Sequence, residues 1–228
     1  MNAEINELDN NIDKQIVCNK GNMNLYSRIN NQNKLKEYEL EFNIDSINPD
    51  KINIENLLSH NIYELIEKIN TDLVEKIILL NVFNEDKADI LILLKHIAKE
   101  IGIKQKYLLF RSNRKIDYIN DKIVFTNKDI ALIDNNLANE YLKSINYNIS
   151  NFEALIFNYG TIEIKIFNVN LQELSNNKNN ENLLIDSKFN TTFQIVIKDY
   201  LPIYMENLVG LMIKKLFYNL KQFIDNLK

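Results

Sequence analysis

Cysteine, glycine and tryptophan are scarce in this sequence of 228 residues, which has one cysteine, four glycines and no tryptophan. Cys18 has no second cysteine with which to form an internal disulfide or a cysteine-rich zinc site. The glycines stand apart, so neither a GxGxxG nor a GxxxxGK phosphate loop can form, and no GxSxG nucleophile turn occurs. We therefore expect no structural metal and no cofactor, and the leading interpretation is a protein that is not an enzyme.

Long hydrophobic runs are also missing. No stretch approaches the roughly 18 uncharged residues that a membrane-spanning helix needs. The first ten residues, MNAEINELDN, lack the basic start and the apolar centre of a signal peptide. We therefore expect no membrane insertion, and an intracellular, cytoplasmic protein that is not secreted.

Asparagine is in excess, with 39 residues, and lysine far outnumbers arginine. These residues have AT-rich codons, so the bias indicates an AT-rich genome such as that of a large DNA virus. In a viral protein the expected location becomes the host cytoplasm or the virion. A hydrophobic content of 46% and a net charge of -4 exclude a wholly disordered chain.

Two polar segments divide the chain. Residues 1–34 show no sustained hydrophobic period and are predicted to form a polar, Asn-rich and partly flexible N-terminal arm. Residues 35–228 are predicted to form a single globular domain. Within it, the Asn-rich segment 174–182 has nothing to bury and is predicted to be a flexible loop.

Hydrophobic periodicity predicts the elements of the first half. Apolar residues alternate with polar ones over 38–44, as in a half-buried strand. Spacings of three and four residues predict helices over 54–69 and over 90–101, the second with Asn84 as its N-cap. The apolar run 76–83 between them predicts a central strand.

The second half alternates hairpins with helices. The patterns predict strands over 107–110 and 122–125, a helix over 128–145, a hairpin of 152–157 and 161–169 with a turn at 158–160, a strand over 192–198, and a helix over 202–227. Helical crossovers join parallel strands, and tight turns join antiparallel ones. We therefore predict an α/β (mixed α+β) fold, with a single mixed β-sheet of about six or seven strands and four helices packed on it.

Charged residues near the second hairpin form one candidate site. Glu163 and Lys165 alternate onto one face of a strand, with Glu153 on the preceding strand and Glu140 on the helix before it. Carboxylates that converge on Mg²⁺, with a lysine near the attacking water, suit phosphodiester cleavage. This order resembles the PD-(D/E)xK nuclease pattern without its Pro-Asp element, and it implies these four residues as catalytic candidates with Mg²⁺ as cofactor. The alternative is a strand that faces solvent.

A basic segment over 104–115 forms a second candidate site. Its cations are Lys104, Lys106, Arg111, Arg114 and Lys115, and it contains no acidic residue. Basic side chains interleaved with aromatic ones can hold a nucleic-acid backbone without reading its sequence. The segment therefore predicts a nucleic-acid surface, and the alternatives are an edge strand protected by lysines or a protein-protein contact.

The C-terminal helix is broadly apolar and forms a third candidate surface. The residues predicted for an interface are Met205, Leu208, Met212, Leu216, Phe217, Leu220 and Phe223. Such a helix either packs across the sheet or binds a partner. The leading hypothesis is a non-enzymatic structural or interaction protein, a component of a larger assembly that self-associates or binds a protein partner. Nucleic-acid binding and a divalent-metal nuclease are the alternatives.

Overall fold

Ten strands form one sheet in the computed structural model, which describes residues 14–31, 33–96, 104–145, 152–176, 184–196 and 207–227. The strands are β1 Gln15–Lys20, β2 Met23–Ile29, β3 Lys36–Ile47, β4 Val74–Asn84, β5 Lys87–Leu94, β6 Gln105–Asp117, β7 Lys122–Asp129, β8 Phe152–Ala154, β9 Ile156–Phe167 and β10 Ile185–Val196. The helices are α1 Ile54–Leu58, α2 Ile62–Ile69, α3 Ile130–Ile133, α4 Asn135–Ser144, α5 Leu171–Asn176 and α6 Leu208–Asp225.

The sheet runs in the order β1-β2-β3-β10-β9-β7-β6-β5-β4. Every neighbouring pair in that order is antiparallel, and the short strand β8 pairs with β6 in parallel. Among the described helices, only α6 has more than ten residues. The predicted α/β fold, a mixed sheet of six or seven strands with four helices, is therefore wrong.

The largest error concerns the segment predicted as a helix over 90–101, because residues 90–94 belong to β5. Its apolar residues fit a helical spacing, but every residue over 88–94 is buried, as in a strand covered on both faces. The proposed cap, Asn84, instead accepts the backbone N–H of Asp86 in the tight turn between β4 and β5. A hairpin thus replaces the predicted crossover. Residues 97–101 lie outside the described residues.

Other predicted boundaries also shift. The turn predicted at 158–160 is part of the continuous strand β9, where Asn158 is an extra residue because Tyr159 and Phe157 pair with the consecutive residues Gln194 and Ile195 of β10. The helix predicted over 54–69 is interrupted between α1 and α2. The helix predicted over 128–145 is replaced by α3 and α4, which begin after Asp129 and Asp134. Both aspartates accept backbone N–H groups of the first turn.

Residues 15–29, which the sequence analysis assigned to the polar arm, form β1 and β2 at one edge of the sheet. Met23, Leu25 and Ser27 of β2 are buried, while the residues between them are half-buried. Residues 1–13 lie outside the described residues, as does the predicted Asn-rich loop from residue 177 onward.

The two faces of the sheet carry separate hydrophobic cores. We call the face covered by α1, α2 and α6 the inner face, and its core draws residues from β2 to β10. The opposite or outer face has a smaller core, in which Leu91, Leu93 and Leu109 pack against α3 and α4. In α6, Gly210 allows close packing, because a Cβ there would lie 2.8 Å from the ring of Tyr38.

Candidate ligand-binding site

Aromatic side chains dominate the inner face beneath α6. Tyr38 stacks on Phe193 with ring centroids 5.3 Å apart, and Phe42 stacks on Phe189 at 4.9 Å. Phe217 of α6 lies 5.8 Å from Phe42 and closes this part of the core. Each pair faces across β3 and β10, because successive inner-face residues of the two strands are in register.

One row of residues across the inner face has short side chains. Hydrogen-bonded register places Gly160 of β9 beside Asn127 of β7, Asn127 beside Ser112 of β6, and Ser112 beside Ala88 of β5. We call these four residues the short row. Large apolar and aromatic residues occupy much of the inner face on either side of the short row.

Aromatic rings surround the short row. The ring of Phe157 packs where a side chain of residue 160 would be, since a Cβ there would lie 2.2 Å from its Cζ. Phe110 lies 5.6 Å from Phe157 and 5.7 Å from Tyr63 of α2. The Tyr63 hydroxyl donates to Asn127 Oδ1 at 3.2 Å, so α2 covers the short row.

Three buried polar atoms near this site have no hydrogen-bond partner among the described residues. They are Ser112 Oγ, Thr191 Oγ1 and His60 Nε2, on residues that are 0%, 4% and 6% exposed. The Ser112 hydroxyl lies beside the Tyr63 phenol and opposes the rise in its pKa that burial causes, yet it forms no hydrogen bond of good geometry with it. A buried polar atom without a partner is costly, so each of these atoms needs a further hydrogen-bond partner, such as a bound water molecule or a ligand atom.

Burial favours the neutral forms of His60 and Tyr63, two titratable groups near these atoms. Burial lowers the pKa of His60 below its usual 6.5, and the nearby Arg114 cation lowers it further. The imidazole is therefore uncharged at neutral pH. Burial raises the pKa of Tyr63 to about 12, which keeps the phenol protonated. Burial also raises the pKa of Asp129, which accepts the backbone N–H groups of Ala131 and Phe157.

The four candidate nuclease residues do not converge. Glu163 and Lys165 lie on the outer face of β9, where Lys122 Nζ is 3.2 Å from Glu163 Oε2. Glu153 pairs with Lys106, and Glu140 is exposed on α4. Nowhere in the described ranges do three His, Cys, Asp or Glu side chains come together as a metal site requires.

The basic segment is divided between the two faces of β6. Arg111 lies on the outer face and binds both carboxylate oxygens of Asp89, at 2.7 and 2.8 Å. Arg114 lies on the inner face, where its guanidinium contacts Asp86 Oδ1 at 2.9 Å and the Leu58 carbonyl at 3.1 Å. Lys104 and Lys115 are exposed, and Lys106 is paired with Glu153. The five cations therefore do not share one surface.

The residues proposed for an interface are mostly packed into the inner core. Phe217 and Leu220 are buried. The half-buried residues are Leu208, Met212, Leu216 and Phe223, and the last three pack against the inner core. Met205 lies outside the described residues.

Sequence reasoning missed the residues of the short row and its neighbours. Ser112 lies within the basic segment over 104–115, and Gly160 lies within the turn predicted at 158–160. One signal was available in the sequence: Thr191 is a polar residue between Phe189 and Phe193, in an alternating strand pattern where an apolar residue is expected. Register across strands could not be read from such a pattern.

Comparison with known proteins finds similarity in structure alone. The sequence matches no protein-family profile and no curated protein. The structure resembles the lipid transfer and protein localization domain of human StarD13 (DLC2), with a TM-score of 0.62 and 8% identity, over 92% of this chain and 87% of that one. Human StAR-related lipid transfer protein 5 gives a TM-score of 0.59 and 10% identity, over 93% of this chain and 86% of that one.

A bacterial structure shows the same similarity. The STAR-related lipid transfer protein from Xanthomonas axonopodis gives a TM-score of 0.52 and 10% identity, over 94% of this chain and 98% of that one. These comparisons contradict the hypotheses of a structural component, a nucleic-acid binder and a nuclease. They give no support to a viral or AT-rich origin. At such low identity, they show that this chain shares the fold of StAR-related lipid transfer proteins, a sheet gripped by a C-terminal helix.

Proposed function

We propose that the protein binds a lipid-like, largely apolar ligand between the inner face of the sheet and the helices α2 and α6. The observation that carries this proposal is an apolar inner face that contains fully buried polar atoms without partners, at Ser112 and Thr191. Ligand sites for apolar molecules have this composition, mostly hydrophobic and aromatic with a few placed polar groups. The structural neighbours that are named lipid transfer proteins support the same ligand class.

Ligand entry requires α6 or α2 to move, because the inner-face residues are buried. Two polar contacts hold these helices together: Asn70 Nδ2 to the Leu216 carbonyl at 3.4 Å and Asn219 Nδ2 to Asn70 Oδ1 at 2.8 Å. A third joins the Lys215 ammonium to Asp72. Asn70 is buried, and only the Lys215–Asp72 pair is exposed and therefore weak. Entry of a ligand would break these contacts and part of the apolar packing of α2 and α6.

No helix of the described ranges has both the length and the hydrophobicity to cross a membrane. Self-association and a cytoplasmic location stay predictions.

The test is direct extraction of lipid from vesicles. Purified protein is incubated with phosphatidylcholine vesicles that carry, in separate samples, trace radiolabelled hexadecanol, palmitate, cholesterol or phosphatidylcholine. The protein is then separated from the vesicles by size, and bound label is counted. We expect one molecule per chain for at least one lipid. Folded protein that binds none of the four would contradict the proposal.

A pair of variants locates the bound lipid. Ala88→Leu adds volume in the short row and is expected to reduce binding, while Lys165→Ala on the outer face is expected to leave it unchanged. Circular dichroism and the thermal midpoint establish that both variants are folded. Equal binding by two folded variants would place the lipid elsewhere on the protein.

A further inference from the structure

The single cysteine of the chain contacts a buried lysine. Cys18 lies on β1, at the edge of the sheet, and is half-buried. Lys214 of α6 is 6% exposed, and its Nζ lies 3.2 Å from Cys18 Sγ. The two residues are 196 positions apart in the sequence, so the fold alone brings them together.

The surroundings of the Lys214 ammonium are neutral. It donates to the Met23 carbonyl at 3.1 Å and lies 3.5 Å from the Cys18 carbonyl oxygen. Within the part of the chain that the structure describes, no carboxylate pairs with it. A buried cation is ordinarily paired with an anion, because an unpaired buried charge is costly. The reactive group closest to this nitrogen is therefore the sulfur of Cys18.

The position of the sulfur suits oxidation. Cys18 is half-buried, so a small oxidant such as hydrogen peroxide can reach it from solvent. Cysteines that peroxide oxidises react as thiolates, and they are typically found beside a lysine, arginine or histidine cation. The first product is a sulfenic acid, whose sulfur condenses with a nearby nucleophile. Here the side-chain nitrogen within reach is Nζ of Lys214.

We propose that Cys18 and Lys214 form a covalent sulfur–nitrogen cross-link when hydrogen peroxide oxidises the protein. The thiol loses two electrons and becomes a sulfenic acid, and the peroxide is reduced to water. The Lys214 ammonium gives one proton to solvent, its nitrogen attacks the sulfur, and the S–O bond breaks. The leaving hydroxide takes a second proton from the nitrogen and departs as water. The separation of 3.2 Å lies within the range of about 3–3.5 Å expected of reacting atoms before attack.

The cross-link joins α6 to the edge of the sheet. The neighbouring contact between them is non-covalent: Tyr218 of α6 packs against the turn at Gly21, where a Cβ would lie 2.8 Å from its ring. A covalent bond between α6 and β1 opposes movement of α6, so lipid uptake that depends on this movement is slowed. This consequence rests on the proposed function, whereas the chemistry of the cross-link does not.

The test is mass spectrometry of the whole chain and of its peptides. Purified protein is treated with hydrogen peroxide, digested and measured without a reducing agent. We expect a population that has lost two hydrogens, in which the peptides containing Cys18 and Lys214 are joined. Oxidised methionine gains oxygen instead and is recognised in its own peptides. Dithiothreitol should restore the original mass, since a thiol reduces the sulfur–nitrogen bond.

Two lysine variants identify the nitrogen. Lys214→Arg keeps the positive charge and removes the amine, so Cys18 is expected to gain oxygen without a cross-link. Lys215→Arg is the matched control, because Lys215 is exposed and pairs with Asp72. It should form the cross-link as fully as the unaltered chain. Circular dichroism establishes that both variants are folded, and the joined peptides identify the nitrogen directly if Lys214→Arg unfolds.

The outcomes separate this inference from the proposed function. Folded protein in which Cys18 only gains oxygen, or forms a disulfide with a second copy of the chain, would overturn the cross-link. In the lipid-extraction assay, we expect the cross-linked protein to take up little label in the time in which the reduced protein is saturated. Equal uptake would overturn the effect on α6. Reduced protein that binds no lipid would contradict the proposed function and leave the cross-link standing.

Discussion

Buried polar groups have different surroundings on the two faces of the sheet. On the outer face, Asp89 is 0% exposed and is fully paired, accepting two hydrogen bonds from Arg111 and one from the Tyr141 hydroxyl at 2.7 Å. On the inner face, the hydroxyls of Ser112 and Thr191 are equally buried and have no partner. An unpaired buried charge costs far more than an unpaired hydroxyl. The fold therefore requires the pairing of Asp89, whereas it tolerates the hydroxyls of Ser112 and Thr191 without a partner among the described residues.

Glu37 is a second charged group on the outer face that is both buried and paired. Glu37 is 2% exposed, and it accepts from Arg28 Nε at 2.5 Å and from the Tyr159 hydroxyl. These partners come from β2 and β9, on either side of the β3–β10 pair. The Glu37 carboxylate thus links β3 to β2 and β9, whereas the hydroxyls of Ser112 and Thr191 form no hydrogen bond to another described residue.

Removal of the Asp89 carboxylate is expected to give the largest effect. Asp89→Ala should lower the free energy of unfolding by about 3–5 kcal/mol, because Arg111 and Tyr141 lose their partner in a poorly solvated place. Urea unfolding measures the loss. The matched control is Asp86→Ala, whose pair with Arg114 is largely exposed on the carboxylate side and should change stability by about 0–1 kcal/mol. Equal losses would contradict the distinction between required and exposed pairs.

Removal of an inner hydroxyl should raise the free energy of unfolding, whereas removal of the Asp89 carboxylate lowers it. Thr191→Val keeps the side-chain shape and deletes a buried oxygen without a partner, so we expect the ligand-free protein to gain about 1 kcal/mol of unfolding free energy. Ser187→Ala should instead lose about 1 kcal/mol, since its hydroxyl donates to the Ile44 carbonyl. A loss of stability in Thr191→Val would show that its hydroxyl has a structural partner.

The pH dependence of stability tests the neutral state of His60. Because its pKa in the folded protein is lowered, the unfolded chain binds the proton more readily once the pH falls below about 6.5. The free energy of unfolding should therefore fall between about pH 7.5 and about pH 5, and this part of the fall should be absent in His60→Asn. Urea midpoints of both proteins at several pH values measure it. Identical pH profiles would show that His60 is protonated alike in both states.

The smallest effect is expected at a surface pair. Lys122→Ala removes the contact with Glu163, two side chains that are each about one-third exposed, and should change the free energy of unfolding by about 0–1 kcal/mol. Added salt should reduce even this difference. A loss close to that of Asp89→Ala would mean that the outer face is not solvated around β9.

Several elements could be predicted from the sequence because their patterns have one interpretation. Alternation over 38–44 lies within β3, and the apolar stripe of the C-terminal helix corresponds to α6. The run over 88–94 has two interpretations, since a segment buried on both faces shows no alternation. The predicted helix there introduced a crossover that does not exist, and the predicted fold class failed with it.

The candidate site could not be predicted for a related reason. Gly160, Asn127, Ser112 and Ala88 come from four strands, and only their register makes them neighbours. A sequence pattern gives the face of a strand on which a residue lies, while register depends on turns and irregularities elsewhere in the sheet. The charged motifs were visible in the sequence, but the fold distributes them over two faces and pairs many of them.

The sequence by itself determined that this protein has a large hydrophobic core, several amphipathic strands and an apolar C-terminal helix, because local periodicity records which side chains must leave water. The tertiary structure decided that the strands form one antiparallel sheet, that α6 lies across its inner face, and that neutral polar atoms are buried there without partners. Those features depend on contacts between residues far apart in the chain, and the environment of a buried group exists only once the strands are in register.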